Sequence, residues 1–267
     1  MPTAVAPSEL LEAARAAARA ASTLLAGARP EDVRAKANPR DLVTEWDLRS
    51  EDEIRRVLAE RTPGVPVLGE EGGQGAGAGA LRWIVDPIDG TVNFAHGLPI
   101  WAVSIGLEGP DGLEVGVVAA PRLGWWFEAA RGGGARDGTG APLRVSSIAA
   151  VDHALLVTGF PYDRATRVDN NFAEWIHLQR RAGACRRLGA ASIDLCLVAC
   201  GWMDGYWEKH LKPWDCAAGA AIVAEAGGTV TDWTGGRFDP HEGAVVATNG
   251  AIHEELVAEL ARVPRPT

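Results

Sequence analysis

The 267-residue chain has no apolar run near the ~20 residues that span a bilayer. It has no basic start followed by an uninterrupted apolar stretch and a cleavage site, so neither a signal peptide nor a membrane anchor is expected. It has no excess of positive charge: 26 basic against 35 acidic residues leave −9, which excludes a basic field for a nucleic-acid backbone. An acidic chain that handles a phosphorylated substrate needs metal cations to do so. Its four cysteines, Cys185, Cys196, Cys200 and Cys216, form no C-x-x-C pair. They read as free buried thiols in a reducing, cytoplasmic compartment rather than as a disulfide framework or zinc site. Also missing are a G-x-x-x-x-G-K-[ST] loop, a glycine fingerprint following a strand, and a G-x-S-x-G elbow. These absences remove P-loop transfer, hydride transfer on a dinucleotide fold, and the usual serine nucleophile.

What is present is an ordinary globular composition, 47% hydrophobic and 23% charged, with length for one large domain or two joined halves. Ser8 to Gly27 reads as an amphipathic helix, with Leu10, Leu11, Ala14, Ala17, Ala18, Ala21, Leu24 and Leu25 at helical spacing. A second helical pattern opens at Asp47, carries Ile54, Val57 and Leu58, and stops before Pro63-Gly64. After a short strand candidate at Val65–Leu68, the tract Gly72–Ala80 is too glycine-rich to hold one shape and reads as a loop. Leu81–Asp86, Ala102–Glu108, Leu113–Ala120 and Gly124–Ala130 are β-rich, and their links are too short for helical crossovers, so they pair antiparallel. From Val151 strands (Leu155–Thr158, Met203–Glu208, Gly228–Asp232, Ala244–Ala247) alternate with helices (Asn170–Ala182, Ala190–Cys200, Asp215–Ala226, Ile252–Leu260). The reading is a layered α+β and α/β sandwich: residues 1–150 form an antiparallel α+β half, residues 151–267 an α/β half, and the two make one compact unit.

The densest chemistry is Trp83-Ile84-Val85-Asp86-Pro87-Ile88-Asp89-Gly90-Thr91-Val92-Asn93-Phe94. A hydrophobic strand runs into two carboxylates; Pro87 withholds a backbone donor and Gly90 permits a tight turn. Such an end can aim Asp86, Asp89 and the Ile88 carbonyl at one point and present the Gly90 and Thr91 amides nearby, an oxygen set that suits Mg²⁺. Alone, a D-x-x-D is also what a capped turn looks like. Gly69-Glu70-Glu71 puts further carboxylates at a strand end. Trp214-Asp215 opens an alanine-rich helix, where Asp215 reads equally well as a simple N-cap. Asp41-Leu42-Val43-Thr44 with Asp47 adds carboxylates at a loop–helix junction.

Taken in order with Thr158-Gly159-Phe160-Pro161-Tyr162, Gly189-Ala190-Ala191 and Glu225-Ala226-Gly227-Gly228, these segments resemble the inositol monophosphatase family of Mg²⁺-dependent, lithium-sensitive phosphatases, from Lys36 to the end. The resemblance implies the sugar-phosphatase sandwich and two or three Mg²⁺ per site. Glu70, Asp86 and the Ile88 carbonyl match ligands of a first metal, and Asp86, Asp89 and Asp215 those of a second; a third leans on Glu70. Thr91, paired with Asp47, matches the group that orients the attacking water. The Gly90 and Thr91 amides match the phosphate cradle. Asp89, Gly189, Ala191, Glu208 and Asp215 match positions around the substrate's hydroxyls. A homodimer acting on a small phosphorylated polyol or sugar is implied, with myo-inositol 1-phosphate foremost. Histidinol phosphate, fructose 1,6-bisphosphate and 3′-phosphoadenosine 5′-phosphate are the rival substrates, and a catalytically silent binding protein is the non-enzymatic rival.

One position departs from the family pattern: Ala190 stands where a Thr or Ser is usual. Only Lys36, Lys209 and Lys212 are lysines. Lys36 falls where the family has a mobile loop over the metals, and Lys209 and Lys212 read as surface charges. His96 and His210 read as surface groups near the mouth of the site. Trp83, Trp101 and Trp207 read as core, and Trp125-Trp126 as a partly exposed edge or subunit contact.

Overall fold

The computed structural model describes residues 7–36, 38–77 and 79–264, so Ala78 within the glycine-rich tract lies outside the described residues. Helix α1 (Pro7–Leu25) buries Leu10, Ala13, Ala14, Ala17, Ala18, Ala21 and Leu25, a face of small side chains that lets it lie close against a sheet. Strands β1 (Val33–Ala35) and β2 (Leu42–Thr44) form an antiparallel pair that leads into α2 (Glu45–Arg61). Then follow β3 (Val67–Gly69), β4 (Gly73–Gln74) and β5 (Arg82–Asp89), the short helix α3 (Thr91–Ala95), and β6 (Ala102–Gly109), β7 (Gly112–Ala120), β8 (Trp125–Ala130) and β9 (Gly134–Asp137). These seven strands form one sheet in the order β4-β3-β5-β6-β7-β8-β9, antiparallel throughout except for β3 beside β5.

The remaining elements are β10 (Leu155–Thr158), α4 (Phe172–Gln179), β11 (Ala184–Arg186), α5 (Ala191–Ala199), β12 (Gly205–Lys209), α6 (Pro213–Glu225), β13 (Thr229–Thr231), β14 (Ala244–Thr248) and α7 (His253–Ala261). The second sheet runs β11-β10-β12-β14-β13. The β11-β10-β12 pairings are parallel and the β12-β14 and β14-β13 pairings antiparallel, so the sheet of the expected α/β half is mixed. Three apolar layers match this order. One lies between α1, α2 and the first sheet, one around α5 and α6 between the sheets, and one between the second sheet and α4 and α7. The result is an αβαβα sandwich. No helix among the described residues is long and apolar enough to cross a membrane.

The main helices and strands fall within a few residues of their predicted bounds. Asn170–Ala182 is the exception: the helix covers only Phe172–Gln179, because the chain then turns to pair Ala184–Arg186 beside β10. Trp83, Trp101 and Trp207 are buried, as expected, and Trp125 and Trp126 are partly exposed. Lys209 is not a surface charge. It bridges Asp169 (2.8 Å) and Glu174 (3.1 Å) and lies 4.0 Å from the centroid of the Trp233 ring.

The middle layer depends on backbone contact. A Cβ on Gly116 of β7 would lie 2.3 Å from the carbonyl oxygen of Ala218 in α6, so the helix could not approach. Gly116→Ala should therefore cost about 3 kcal/mol, the upper end of overpacking, and lower Tm by roughly 6–10 °C. Gly27→Ala, where nothing stands within 4 Å, serves as the neutral control. A thermal melt checks both; equal Tm values would mean that the two layers slide apart at no cost.

Candidate active site

Parallel pairing of β3 with β5 places Gly69 opposite Val85, so the next residues, Glu70 and Asp86, leave adjacent strand ends side by side. On a regular strand, residues three apart point to opposite faces. Here the register against β6 runs from Asp86↔Ser104 to Asp89↔Ala102, two residues of β5 facing one of β6. That bulge at Pro87-Ile88 restores the phase, and both carboxylates turn to the same side. The Ile88 amide donates to Asp86 Oδ1 (3.0 Å), and Ser50 Oγ donates to the Pro87 carbonyl (3.0 Å), fixing the bulge on α2.

Gly90 follows with φ 89°, a left-handed conformation, and a Cβ there would lie 3.2 Å from the Gly189 carbonyl oxygen. The turn thus brings the β5 end against the segment that leads into α5, and α3 starts at Thr91. Thr91 Oγ1 lies 3.0 Å from both Asp47 Oδ1 and the Ile88 carbonyl oxygen. Asp47 is fully buried, and its other oxygen accepts the Thr44 amide (2.8 Å) and hydroxyl (2.6 Å) in a capping box that starts α2. Burial pushes the Asp47 carboxyl up to about 6, against the pull of those hydrogen bonds.

Asp89 Oδ2 accepts both the amide (2.7 Å) and the hydroxyl (2.5 Å) of Ser192. Ser192 therefore supplies a hydroxyl near the position where Ala190 lacks one. Burial raises Asp89 to about 6 despite these donors. Asp215 is not an N-cap. The helix begins at Pro213, Lys212 is its cap, and Asp215 Oδ2 takes the Lys212 amide (2.6 Å) from the third helical position. Glu70 meets Lys36 Nζ at 2.8 Å, and Glu71 meets it at 2.6 Å. Behind them the Glu51 carboxylate takes the amides of Glu71 (2.7 Å) and Gly72 (2.8 Å), and Arg55 anchors Glu51 (2.7 Å). Composition gave no sign of that clamp, although Glu51 and Arg55 do stand one helical turn apart.

The electrostatics tie the carboxylates together. Burial, then the charges of Glu70, Asp89, Asp215 and Asp47, hold the Asp86 carboxyl well above its ordinary range. Burial, then Glu70 and Asp89, do the same to Asp215, and burial takes Glu70 to about 7 in spite of Lys36. Glu208, at the end of β12, accepts the Tyr206 hydroxyl (2.6 Å) and is raised to about 7, first by burial. Among the described residues, no three His, Cys, Asp or Glu side chains stand close enough to form a finished metal cluster. The donor set nevertheless fits one kind of ion. Four carboxylates that repel one another, Asp86 and Asp89 buried and Glu70 and Asp215 partly so, with a lysine beside them, are the chemistry of a hard divalent cation. Cys216 directly follows Asp215, but it is buried with its thiol pushed up, and it points back at the Lys212 carbonyl (3.5 Å), so it offers no nucleophile. His96 and His210 are exposed.

The residues predicted from sequence are thus brought to one place: Asp47, Glu70, Asp86, Ile88, Asp89, Gly90, Thr91 and Asp215, with Gly189, Ala191 and Glu208 across from them. Ser192, Glu51 and Tyr206 were not predicted.

A profile described as the inositol monophosphatase family matches residues 6–265. The chain is 44% identical over 236 residues to an inositol-1-monophosphatase of Synechocystis, covering 88% of this chain and 82% of that one. It is 42% identical over 226 residues to a protein named Nus factor SuhB of Pseudomonas aeruginosa, covering 83% of each. The solved structure of an inositol monophosphatase from Anabaena superimposes with a TM-score of 0.88 at 38% identity over 97% of both chains.

Proposed function

The chain belongs to the inositol monophosphatase family, and from that premise we propose that it hydrolyses the phosphate monoester of a small polyol, myo-inositol 1-phosphate first among them. The observation that carries this reading is the convergence of Glu70, Asp86, Asp89 and Asp215 with the Thr91–Asp47 pair at the strand ends. Two or three Mg²⁺ ions would be held by Glu70, Asp86, the Ile88 carbonyl, Asp89 and Asp215; when bound, they neutralise the phosphate dianion and acidify water.

The chain supplies the rest. Thr91 has one hydroxyl proton and gives it to Asp47, which leaves an oxygen lone pair to accept a proton from the attacking water. The Thr44 amide and hydroxyl favour the ionised Asp47 against the burial that raises it. The Gly90 and Thr91 amides lie at the start of α3, where helix geometry leaves amides without internal partners, and there they meet the phosphate oxygens. Glu208 and the Ala191 amide face the polyol. The water attacks phosphorus directly in our reading, with no phosphoryl-enzyme. We further assign to the protein a cytoplasmic homodimer inhibited by lithium, on family membership alone.

Phosphate release from inositol 1-phosphate, histidinol phosphate, fructose 1,6-bisphosphate and 3′-phosphoadenosine 5′-phosphate, with Mg²⁺ and with chelator, tests the proposal. Mg²⁺-dependent release from inositol 1-phosphate is expected; release that persists in chelator, or none at all, would sink it. Binding should also appear without turnover. Mg²⁺ at a hundredfold its Kd stabilises by about 2.7 kcal/mol, which raises Tm by roughly 5–8 °C for a chain of this size. A melt unmoved by Mg²⁺ would contradict the ligand set.

A further inference from the structure

One face of α2 carries a buried polar stripe of which the water-orienting pair uses only Asp47. Asp47, Ser50, Glu51 and Ile54 stand at i, i+3, i+4 and i+7, so they share one side of the helix. Ser50 and Glu51 are buried, and burying a hydroxyl or a carboxylate is costly unless hydrogen bonds replace water. Their partners are the backbones of the two segments that present the cation ligands, with Arg55 of the same helix beside them. Ser50 Oγ donates to the Pro87 carbonyl (3.0 Å), inside the bulge between Asp86 and Asp89. The Glu51 carboxylate spans the two amides after Glu70, Oε2 accepting from Glu71 (2.7 Å) and Oε1 from Gly72 (2.8 Å). Arg55 completes the clamp. Its Nε donates to Glu51 (2.7 Å), Nη1 to the Val67 carbonyl (3.1 Å) and Nη2 to the Gly73 carbonyl (2.6 Å), so it grips the chain on both sides of Glu70.

The clamp also explains the glycines that bracket Glu70-Glu71. A Cβ on Gly69 would lie 2.5 Å from Glu51 Cδ, and one on Gly72 would lie 2.7 Å from Glu51 Oε1. The carboxylate fills the room that side chains there would need. β3 is three residues long and β4 two, a ladder too short to hold a strand end in place. We infer that the Ser50–Glu51–Arg55 face of α2 is the positioning element of the cation site, setting the spacing between Glu70 at the end of β3 and the Asp86–Asp89 bulge of β5. These residues act through the backbone that presents the ligands. Losing a partner of that kind behind a metal ligand costs roughly 10–100-fold in metal affinity or activity. The inference rests on the metal-dependent phosphatase reading and adds to it three residues outside the ligand set.

The probe is Mg²⁺ alone, titrated into chelator-treated protein by calorimetry and by Tm, with kcat followed against Mg²⁺ in parallel. Glu51→Gln keeps the shape but sets a side-chain N–H₂ against one of the two backbone amides, donor against donor. It should raise the Mg²⁺ concentration at half-saturation by about tenfold, with kcat at saturating Mg²⁺ close to the parent's. Glu51→Asp keeps the charge and loses the reach, so it should fall with the Gln variant. A parental Mg²⁺ affinity in Glu51→Asp would reduce Glu51 to a charge behind the wall and overturn the clamp. Gly72→Ala, at an exposed position, meets only the ends of the Glu51 and Arg55 side chains and displaces them from the other side. It should reproduce the shift, and it carries the test should the Glu51 variants fail to fold. Ile54→Val, on the same face but packed among apolar side chains, is the structural control: a lower Tm in chelator with the Mg²⁺ midpoint unmoved. Glu51 and Gly72 variants that behave like Ile54→Val would overturn this inference alone and leave the face a packing surface. A parent that binds no Mg²⁺ would overturn the reading beneath it.

Discussion

Asp89→Asn is expected to abolish measurable turnover, a loss of about a thousandfold or more, while the protein melts no lower than its parent in chelator. The two halves of that result have one cause. Losing one preorganised group that stabilises transition-state charge costs roughly 10²–10³ in rate, and in the reading proposed above Asp89 would do this through the cations it holds, while its other role is to accept the amide at the start of α5. Asparagine keeps an oxygen that can accept the Ser192 amide and hydroxyl, so the local hydrogen bonds survive. What disappears is one negative charge from a wall in which Asp89 raises both Asp86 and Asp215. The pH dependence follows the same logic. Asp89 titrates at about 6 in the folded chain against an ordinary 3.8. Between these values the folded state binds more protons than the unfolded one, so in chelator the parent loses stability as pH rises from about 4 to 6. The variant lacks that contribution and should give a flatter melting curve over the same window. Mg²⁺ should raise the parent's Tm much more than the variant's. Turnover within tenfold of the parent would take Asp89 out of the ligand set.

Sequence pattern disclosed this wall and not what braces it, and particular residues show why. Asp86 and Asp89 were visible because a hydrophobic strand ending in D-P-I-D-G leaves few ways to dispose of two carboxylates. Their shared orientation was expected from Pro87 and Gly90, but the bulge that produces it was not, because it is defined only against Ala102–Ser104 of the next strand. Glu70 stood out at a strand end, but the amides that follow it are tied to Glu51, nineteen residues earlier, through contacts that only packing creates. The helical period of α1 survives folding because the helix is long enough to average over its neighbours, whereas α5, β6 and β7 are buried on nearly every side and show in the sequence as apolar runs. β1, β9 and β11, of three or four residues, exist only because a partner strand is there. Asp215 shows the ambiguity at its sharpest: carboxylates near a helix start look alike in sequence, and only Pro213 at the first turn tells a third-position Asp from a cap. The mixed second sheet was hidden for a similar reason. β13 and β14 run antiparallel to each other, and their connection, Asp232 to Gly243, carries no apolar period to declare a direction.

Thr91→Val is expected to lower kcat by about 10²–10⁴, the range for loss of a positioned proton acceptor, with KM and the Mg²⁺-induced rise in Tm nearly unchanged. The separation arises from where Thr91 sits. Its hydroxyl lies 3.0 Å from Asp47 Oδ1 and touches no carboxylate of the cation wall, and in the reading proposed above its lone pair takes the attacking water. Valine fills the same volume but leaves Asp47 Oδ1 in a fully buried place without its donor. The carboxyl, already at about 6, should climb further. A neutral Asp47 at pH 7 can no longer draw the proton chain toward itself, so Asp47→Asn should fall by a similar factor. The double variant should lose little beyond either single one, because the pair acts as one device. Thr91→Ser restores the hydroxyl and should recover activity to within about tenfold, since only a methyl group is lost. A loss confined to KM would move Thr91 from the water to the substrate's grip. Additive losses in the double variant would show that Asp47 serves only to start α2, through Thr44.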